Sequence, residues 1–145
     1  MNSPTLVVGH GRDPSSDQAL RTAVDLACRL HARLHVVHVV DLDDYPLNVD
    51  APDWERRGAE AVAEEQRHVE RLLTGAPVPW TYEARHGEPA KALCAAAAEH
   101  DALLIVLGTR GEGLRRALGR LMDPSISHAV IQRQHRPVVV VPVHE

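Results

Sequence analysis

The stretch "ALLIVLG", from Ala102 to Gly108, decides the fold class. It is apolar at every position before its final glycine, so both alternating faces of a strand formed here would be covered by other parts of the chain. A strand covered on both faces is typical of the interior of a parallel sheet with helices above and below it. The stretch therefore predicts an α/β protein with this strand in mid-sheet.

Strand-like and helix-like segments alternate along the rest of the chain. Four further strands are predicted, at Thr5 to Gly9 ("TLVVG"), Arg33 to Val40 ("RLHVVHVV"), Val78 to His86 ("VPWTYEARH") and Arg136 to Val143 ("RPVVVVPV"). Helices are predicted over Ser15 to Leu30, from Trp54 to about Leu73, and from Pro124 to about Gln134. A further helix is predicted to start at the residues Gly87, Glu88 and Pro89. Helices between consecutive strands imply parallel pairing with right-handed crossovers, and hence a doubly wound sheet. Ligands of such sheets bind beyond the carboxyl ends of the strands, where the winding direction reverses.

The composition is that of one ordinary globular domain, predicted to cover residues 1–145. A net charge of −4 argues against a nucleic-acid-binding protein, which needs a basic face. The N-terminus has no charged region typical of a signal peptide, and no apolar run approaches the ~20 residues of a membrane span. The sequence thus predicts a soluble cytoplasmic protein without a membrane partner. Both cysteines, Cys28 and Cys94, lie in helix-like apolar patterns and are expected to be packed in the core.

Four segments together resemble the universal stress protein family, and the resemblance covers essentially the whole chain. They are "LVVGHGRDPSSDQALRTAVDLA", "LHVVHVVD", "RHGEPAKAL", and "ALLIVLGTRG" continued through "SISHAVIQRQHRPVVVVP". The resemblance implies a five-stranded parallel sheet ordered 3-2-1-4-5, a Rossmann-like fold of the adenine nucleotide alpha hydrolase type. It also implies a homodimer formed through the last strand, ATP as a possible ligand, and a regulatory role in stress response in place of catalysis.

The amino-acid composition of the last strand independently supports the expected homodimer. The segment Pro137 to Val143 is β-branched and uncharged, and at a sheet edge it would expose unpaired N–H and C=O groups. Pairing with the same strand of a second subunit would satisfy those groups and give a closed two-fold dimer. Pro142 limits the length of that pairing, because proline has no N–H to donate.

The resemblance also implies which residues would bind a nucleotide. An adenine-reading aspartate is usual at the end of the first strand, where Gly9 is followed by His10. Val39 and Leu107 would flank the base. Gly108, Arg110, Gly111, Ser125 and Ser127 would line the phosphates of ATP, with magnesium as its counterion. ATP-binding relatives usually have nine residues between the second glycine and a third, but here twelve residues follow Gly111 and Pro124 replaces the third glycine.

These changes predict a degenerate phosphate site. Pro124 supplies no N–H, and Asp123 fits the N-cap position, where its carboxylate would accept the N–H bonds that a phosphate needs. Two alternatives stay open for the intervening arginines, which are Arg110, Arg115, Arg116 and Arg120. In the first, they face water on a short amphipathic helix. In the second, their guanidinium groups bind an anion by paired hydrogen bonds. An acidic loop, Asp41 to Glu55, is expected to pair with them and close the site.

Neither catalytic nor metal-binding residues are predicted. The chain has no G-x-S-x-G elbow, and nothing selects an arrangement of Ser125, His10 and Asp13. His35 and His38 are expected on opposite faces of one strand, and the ten histidines are interpreted as surface or strand-end residues. The function predicted is a regulatory or protective binding module with weak or no ATP binding and an unidentified protein partner. An ATP-dependent switch using the arginines and a slow nucleotide hydrolase are the alternatives.

Overall fold

The computed structural model of the protein describes residues 3–11, 14–40, 54–108, 130 and 133–142. Five strands and three helices lie in these ranges. The strands are β1 (Thr5–Gly9), β2 (Arg33–Val40), β3 (Trp80–His86), β4 (Leu104–Gly108) and β5 (Val138–Val141). The helices are α1 (Pro14–Leu30), α2 (Trp54–Leu73) and α3 (Pro89–Glu99). The helix predicted from Pro124 to Gln134 lies almost entirely outside the described residues.

The strands form one parallel sheet in the order β3-β2-β1-β4-β5, which confirms the fold predicted from the sequence. β4 lies between β1 and β5, as its two apolar faces require, and β3 and β5 form the two edges. The chain reverses its winding direction between β1 and β4, so the carboxyl ends of these two strands mark the expected ligand crevice.

Some strands are shorter than their apolar patterns. β4 begins at Leu104 because Ala102 still belongs to the turn that follows α3, where its N–H donates to the carbonyl of Ala97 at 2.8 Å. β3 begins at Trp80, after Pro79, which has no N–H to donate but whose carbonyl accepts from the N–H of Leu34. β5 covers Val138–Val141 of the apolar segment that was predicted to pair.

Two apolar layers cover the sheet. On one face, Leu6, Val8 and Val36 pack against α1 and α2, together with Val69 and Leu73. On the other face, residues of opposite parity in the same strands pack against α3; they are Val7, Val37, Ile105 and Leu107, with Val130 from the segment before β5. The alternation of side chains along each strand therefore decides which helix every strand residue meets.

Two predictions about buried side chains were wrong. Cys28 is exposed and Cys94 is half-buried, so only Cys94 approaches the core. His35 and His38 are buried within β2 instead of lying at the surface, and His10, which does follow the end of β1, is buried as well. His35 and His38 do face opposite sides of β2, as predicted, since His35 meets Thr81 and His38 meets Glu65. None of the helices described is long and apolar enough to cross a membrane.

Candidate functional site

The carboxyl ends of β1 and β4 lie side by side at the switch point of the sheet. Val8 pairs with Val106, so the next residues of the two strands, Gly9 and Leu107, are level with one another. Close packing explains the glycine: a Cβ at Gly9 would lie 2.8 Å from the Cδ2 atom of Leu107. Four of the predicted nucleotide-binding residues, namely Gly9, His10, Leu107 and Gly108, are therefore at one end of neighbouring strands.

The predicted base-flanking residues lie on the α3 side of the sheet. Val39 and Leu107 both pack against the apolar cluster that α3 covers. The side chain of His10 lies on the opposite side, among residues of α1 and α2. Val39 and Leu107 thus lie on one face of the sheet and His10 on the other, although the family resemblance places all three around one base.

His10 is the centre of a polar cluster made with Asp17, Glu65 and His68. The His10 Nδ1 atom contacts Glu65 Oε1, and its Nε2 atom lies 2.8 Å from Asp17 Oδ1. His68 Nε2 lies 3.0 Å from both carboxylate oxygens of Asp17. The imidazole of His10 is fully buried, so neither of its nitrogens depends on water. We call these four residues the His10 cluster.

A second set of contacts holds the His10 cluster in place. Tyr82 donates its O–H to Glu65 Oε2 at 2.5 Å, which fixes that carboxylate from β3. His38 Nδ1 lies 2.9 Å from the carbonyl oxygen of His10 and donates to it. Beyond His10, the N–H of Gly11 donates to Ser16 Oγ at 2.9 Å. Three strands and two helices therefore meet at this cluster.

The two carboxylates favour the protonated form of His10. Burial alone would lower the pKa of His10, but the hydrogen bonds and negative charges of Glu65 and Asp17 outweigh it and raise that pKa above 6.5. Burial would likewise raise the carboxylate pKa values. Hydrogen bonds from His10 and Tyr82 lower the pKa of Glu65, and those from His10 and His68 lower the pKa of Asp17. These pKa shifts favour the charged form of both carboxylates, and each His10 nitrogen faces one of them.

An open cleft of about 470 Å³ adjoins the His10 cluster. Its lining combines one turn of backbone after β1 with the polar face of α2: Gly11, Ala61, Glu64, Glu65, His68 and Arg71. Arg71 is 3.6 Å from Glu64, so the cation in the described lining already has an anionic partner. The cleft therefore favours cationic or neutral groups over a bare polyphosphate.

Gly108 does not open onto free space. A Cβ there would lie 2.5 Å from the carbonyl oxygen of Ser15, in the first turn of α1. The absence of a side chain at Gly108 is thus required for the packing of α1 on β4. The other predicted phosphate-lining residues, Arg110, Gly111, Ser125 and Ser127, lie outside the described residues, as do Pro124 and residues 41–53 of the acidic loop predicted from Asp41 to Glu55.

Sequence reasoning did not select Asp17, Glu65 and His68, although one signal pointed to them. Glu65 lies in the apolar stripe of α2, four residues after Ala61 and four before Val69. A charged residue on a buried helix face requires a buried partner, so its position indicated a polar contact with the sheet. Which partner it would meet depended on the tertiary fold, because His10 is 55 residues away.

The model of the universal stress protein family matches residues 3–142. The chain belongs to the universal stress protein family. This assignment agrees with the sheet order and with the whole-chain resemblance found in the sequence. No curated protein was found to match the chain.

Solved structures of other family members share the fold. A universal stress protein in complex with cAMP is 24% identical, with a TM-score of 0.74 and 98% of each chain covered. A family member from Burkholderia pseudomallei is 24% identical, with a TM-score of 0.73 and 96% of each chain covered. The universal stress protein from Archaeoglobus fulgidus in complex with dAMP is 19% identical, with a TM-score of 0.67, covering 97% of this chain and 98% of the other.

Proposed function

We propose that this family member is a single-domain, cytoplasmic, regulatory or protective binding module whose nucleotide crevice is degenerate and binds ATP weakly or not at all. One observation carries the proposal: both nitrogens of His10 are committed to carboxylates, Nδ1 to Glu65 and Nε2 to Asp17. His10 stands where the family resemblance places an adenine-reading aspartate. A residue without a free acceptor or donor cannot read the edge of a base.

Electrostatics support the same conclusion. The cleft next to the His10 cluster is lined by Glu64 and Glu65, and Arg71 is paired with Glu64. Triphosphate entering this space would meet fixed negative charge without a free cation from the described lining. Magnesium would reduce the repulsion but would not supply the backbone N–H groups that a third glycine exposes in relatives.

The proposed module acts as a homodimer paired through the segment Pro137 to Val143. β5 forms one edge of the sheet and carries four valines without a charge. Val140 is 37% exposed there, which is high for a large apolar side chain on a strand. Strand pairing between two copies would cover this edge and its apolar side chains.

An ATP-binding switch that uses Arg110 and its neighbours is the second candidate. Two solved relatives that share the fold are described as complexes with cAMP and dAMP, so the family fold is compatible with adenine nucleotides. In this chain the arginine forks would have to substitute for the backbone N–H groups that a third glycine would expose to phosphate. Slow hydrolysis in the same crevice is the enzymatic version of this candidate.

Titration calorimetry distinguishes the candidates. ATP, with and without magnesium, and cAMP and dAMP are each titrated into wild type and into Arg110→Gln. The degenerate crevice predicts dissociation constants weaker than about 1 mM, a binding free energy weaker than about −4 kcal/mol. Micromolar binding that disappears in Arg110→Gln would contradict the proposal and support the switch. Release of phosphate dependent on Arg110 would support a hydrolase.

A further inference from the structure

We propose that His10, Asp17 and His68 form a binding site for a divalent transition-metal ion of the zinc type. This inference goes beyond the proposed function, and the two can succeed or fail separately. The three residues come from the end of β1, the first turn of α1 and the C-terminal half of α2. A nitrogen from each histidine and a carboxylate oxygen all lie within 4.8 Å of one another. Two imidazoles and one carboxylate are a common ligand set for zinc and related ions.

The two contacts to Asp17 are already close to the spacing of ligands around one ion. His10 Nε2 is 2.8 Å from Asp17 Oδ1, and His68 Nε2 is 3.0 Å from it. Ligands about 2.0 Å from a tetrahedral zinc ion lie about 3.3 Å apart. The contacts to Asp17 would therefore open by a few tenths of an ångström. His68 is on a surface-facing turn of α2 with a side chain 41% exposed, so it can move by this amount without disturbing the core.

The surroundings of His10 match the outer shell of known metal sites. Metal-binding histidines usually donate their second N–H to a carboxylate, which fixes the tautomer and aims the other nitrogen at the ion. His10 makes this contact through Nδ1 to Glu65, and Tyr82 holds the carboxylate in turn. The Nε2 atom of His10 faces Asp17. This is the arrangement of a metal-binding histidine with its outer-shell partner.

Charge and access also fit an ion with two positive charges. Asp17 and Glu65 together contribute two negative charges, so a divalent ion that displaces the Nε2 proton of His10 to solvent and binds neutral histidines makes the buried cluster neutral. Gly11, Glu65 and His68 line the adjoining cleft. The ion would be reached from this side, where water or an anion could complete its coordination.

A second group of possible ligands, His35, Glu83 and His100, provides an internal comparison. The rings of His35 and His100 are tilted against each other, with centroids 3.9 Å apart and planes at 33°. Nitrogen lone pairs lie in the ring planes, so two rings that overlap at this separation point their lone pairs poorly at a common ion. Arg85 also holds Glu83 in an ion pair. The geometry favours the His10 site over this group.

The test titrates Zn²⁺ into chelator-treated, tag-free protein by calorimetry, and repeats it with Co²⁺ followed by visible absorption. His68→Gln and Asp17→Asn are compared with His100→Gln, the matched control from the second group. We expect one saturable site, weakened at least about 100-fold in the first two variants and within about twofold of wild type in His100→Gln. Circular dichroism and thermal unfolding establish that each variant is folded.

Three results would overturn the proposal. The first is that wild type shows no saturable binding of one Zn²⁺ per chain. The second is that His68→Gln and Asp17→Asn both keep the wild-type affinity for Zn²⁺. The third is that His100→Gln abolishes Zn²⁺ binding. Because His68 is partly exposed, loss of folding is not expected to obscure its result. Glu65→Gln adds a further test, with an expected weakening of about 10- to 100-fold as an outer-shell partner of His10. Unchanged affinity there would remove Glu65 from the site.

Discussion

Gly108 and Ser15 are the closest point of contact between β4 and α1. A Cβ built on Gly108 would lie 2.5 Å from the carbonyl oxygen of Ser15 and 2.9 Å from its carbonyl carbon. Both neighbours are backbone atoms, so they cannot move by changing a side-chain rotamer. The glycine that resembles the start of a phosphate loop is thus required by packing, whether or not a ligand binds.

Gly108→Ala is therefore expected to lower the free energy of unfolding by about 1–3 kcal/mol, the usual cost of overpacking. Urea unfolding followed by circular dichroism measures the change. Gly11→Ala is the matched control, because a Cβ at Gly11 would meet only Ser16 Oγ at 3.7 Å, an ordinary contact. Its expected effect is within about 0.5 kcal/mol. Equal effects of the two substitutions would contradict the packing argument.

The His10 cluster should stabilise the fold most at intermediate pH and less in both acid and alkaline solution. The pKa values of Asp17 and Glu65 are lowered from 3.8 and 4.5 by the histidine and tyrosine hydrogen bonds, so their contribution is present above those values and is lost in acid. The pKa of His10 is raised from 6.5 by Glu65 and Asp17, so its contribution is fully present below 6.5 and is lost as pH rises through the raised value. His38, His68 and Tyr82 are the other titratable groups around it.

We expect the difference in unfolding free energy between wild type and His10→Gln to be largest between pH 4.5 and pH 6.5. These limits are the ordinary pKa values of glutamate and histidine. Unfolding is measured with chelator present, from about pH 4 to about pH 8. Lys91→Gln is a control that removes a cation on α3, away from the cluster, and its difference should vary little with pH. A constant difference for His10→Gln would show that the cluster does not titrate as described.

The C-terminal ends of α1 and α3 have non-glycine residues at positions where glycine is usually favoured. α1 and α3 are each followed by a non-glycine residue in the left-handed region, His31 with φ of 52° and Asp101 with φ of 46°. In both, the next residue donates back to the helix, Ala32 to Ala27 and Ala102 to Ala97, each at 2.8 Å. Glycine is favoured at such positions because a Cβ is strained there.

His31→Gly should consequently raise the free energy of unfolding by up to about 1 kcal/mol, since relief of strain exceeds the added entropy of the unfolded chain. Denaturant unfolding measures it. Leu30→Gly, one position earlier and inside α1, is the control and should lower stability by about 1 kcal/mol. Destabilisation by His31→Gly would mean that the left-handed conformation is not held at the end of α1.

At the scale of elements, the sequence predicted more of the fold than of the site. Apolar periodicity located α1, α2 and β2, because each buries a face with a regular repeat. The strand order came from the family resemblance, since spacing alone does not order a sheet. The His10 cluster was not predicted because Asp17 and His68 are 51 residues apart in sequence and meet only through packing of α2 on α1.

For the whole molecule, the two sheet edges differ in chemistry. β3 carries Glu83 and Arg85, which pair with each other, whereas β5 is four valines. Charge discourages strand addition at the β3 edge, whereas the four valines of β5 carry no charge that would do so. A regulatory dimer formed through β5 would leave the His10 clusters of both subunits away from the interface strands.

Val140→Lys is expected to convert the proposed dimer to monomer at micromolar concentration, raising its dissociation constant by about 100-fold or more, because an unpaired charge would be buried. Size-exclusion chromatography with light scattering measures the mass. Ala84→Lys, at an exposed position on the opposite edge, is the matched control and should stay dimeric. Monomeric wild type, or dissociation by Ala84→Lys alone, would contradict pairing through β5.

The most direct test of the degenerate crevice is nitrogen NMR of the His10 imidazole during titration with ATP and magnesium. At about pH 6 the structure predicts that both ring nitrogens are protonated and donate to Glu65 and Asp17. The signals should stay unchanged to about 1 mM ATP. Loss of a ring proton, or a saturable shift at micromolar ATP, would show that His10 leaves the carboxylates to bind nucleotide and would contradict the account.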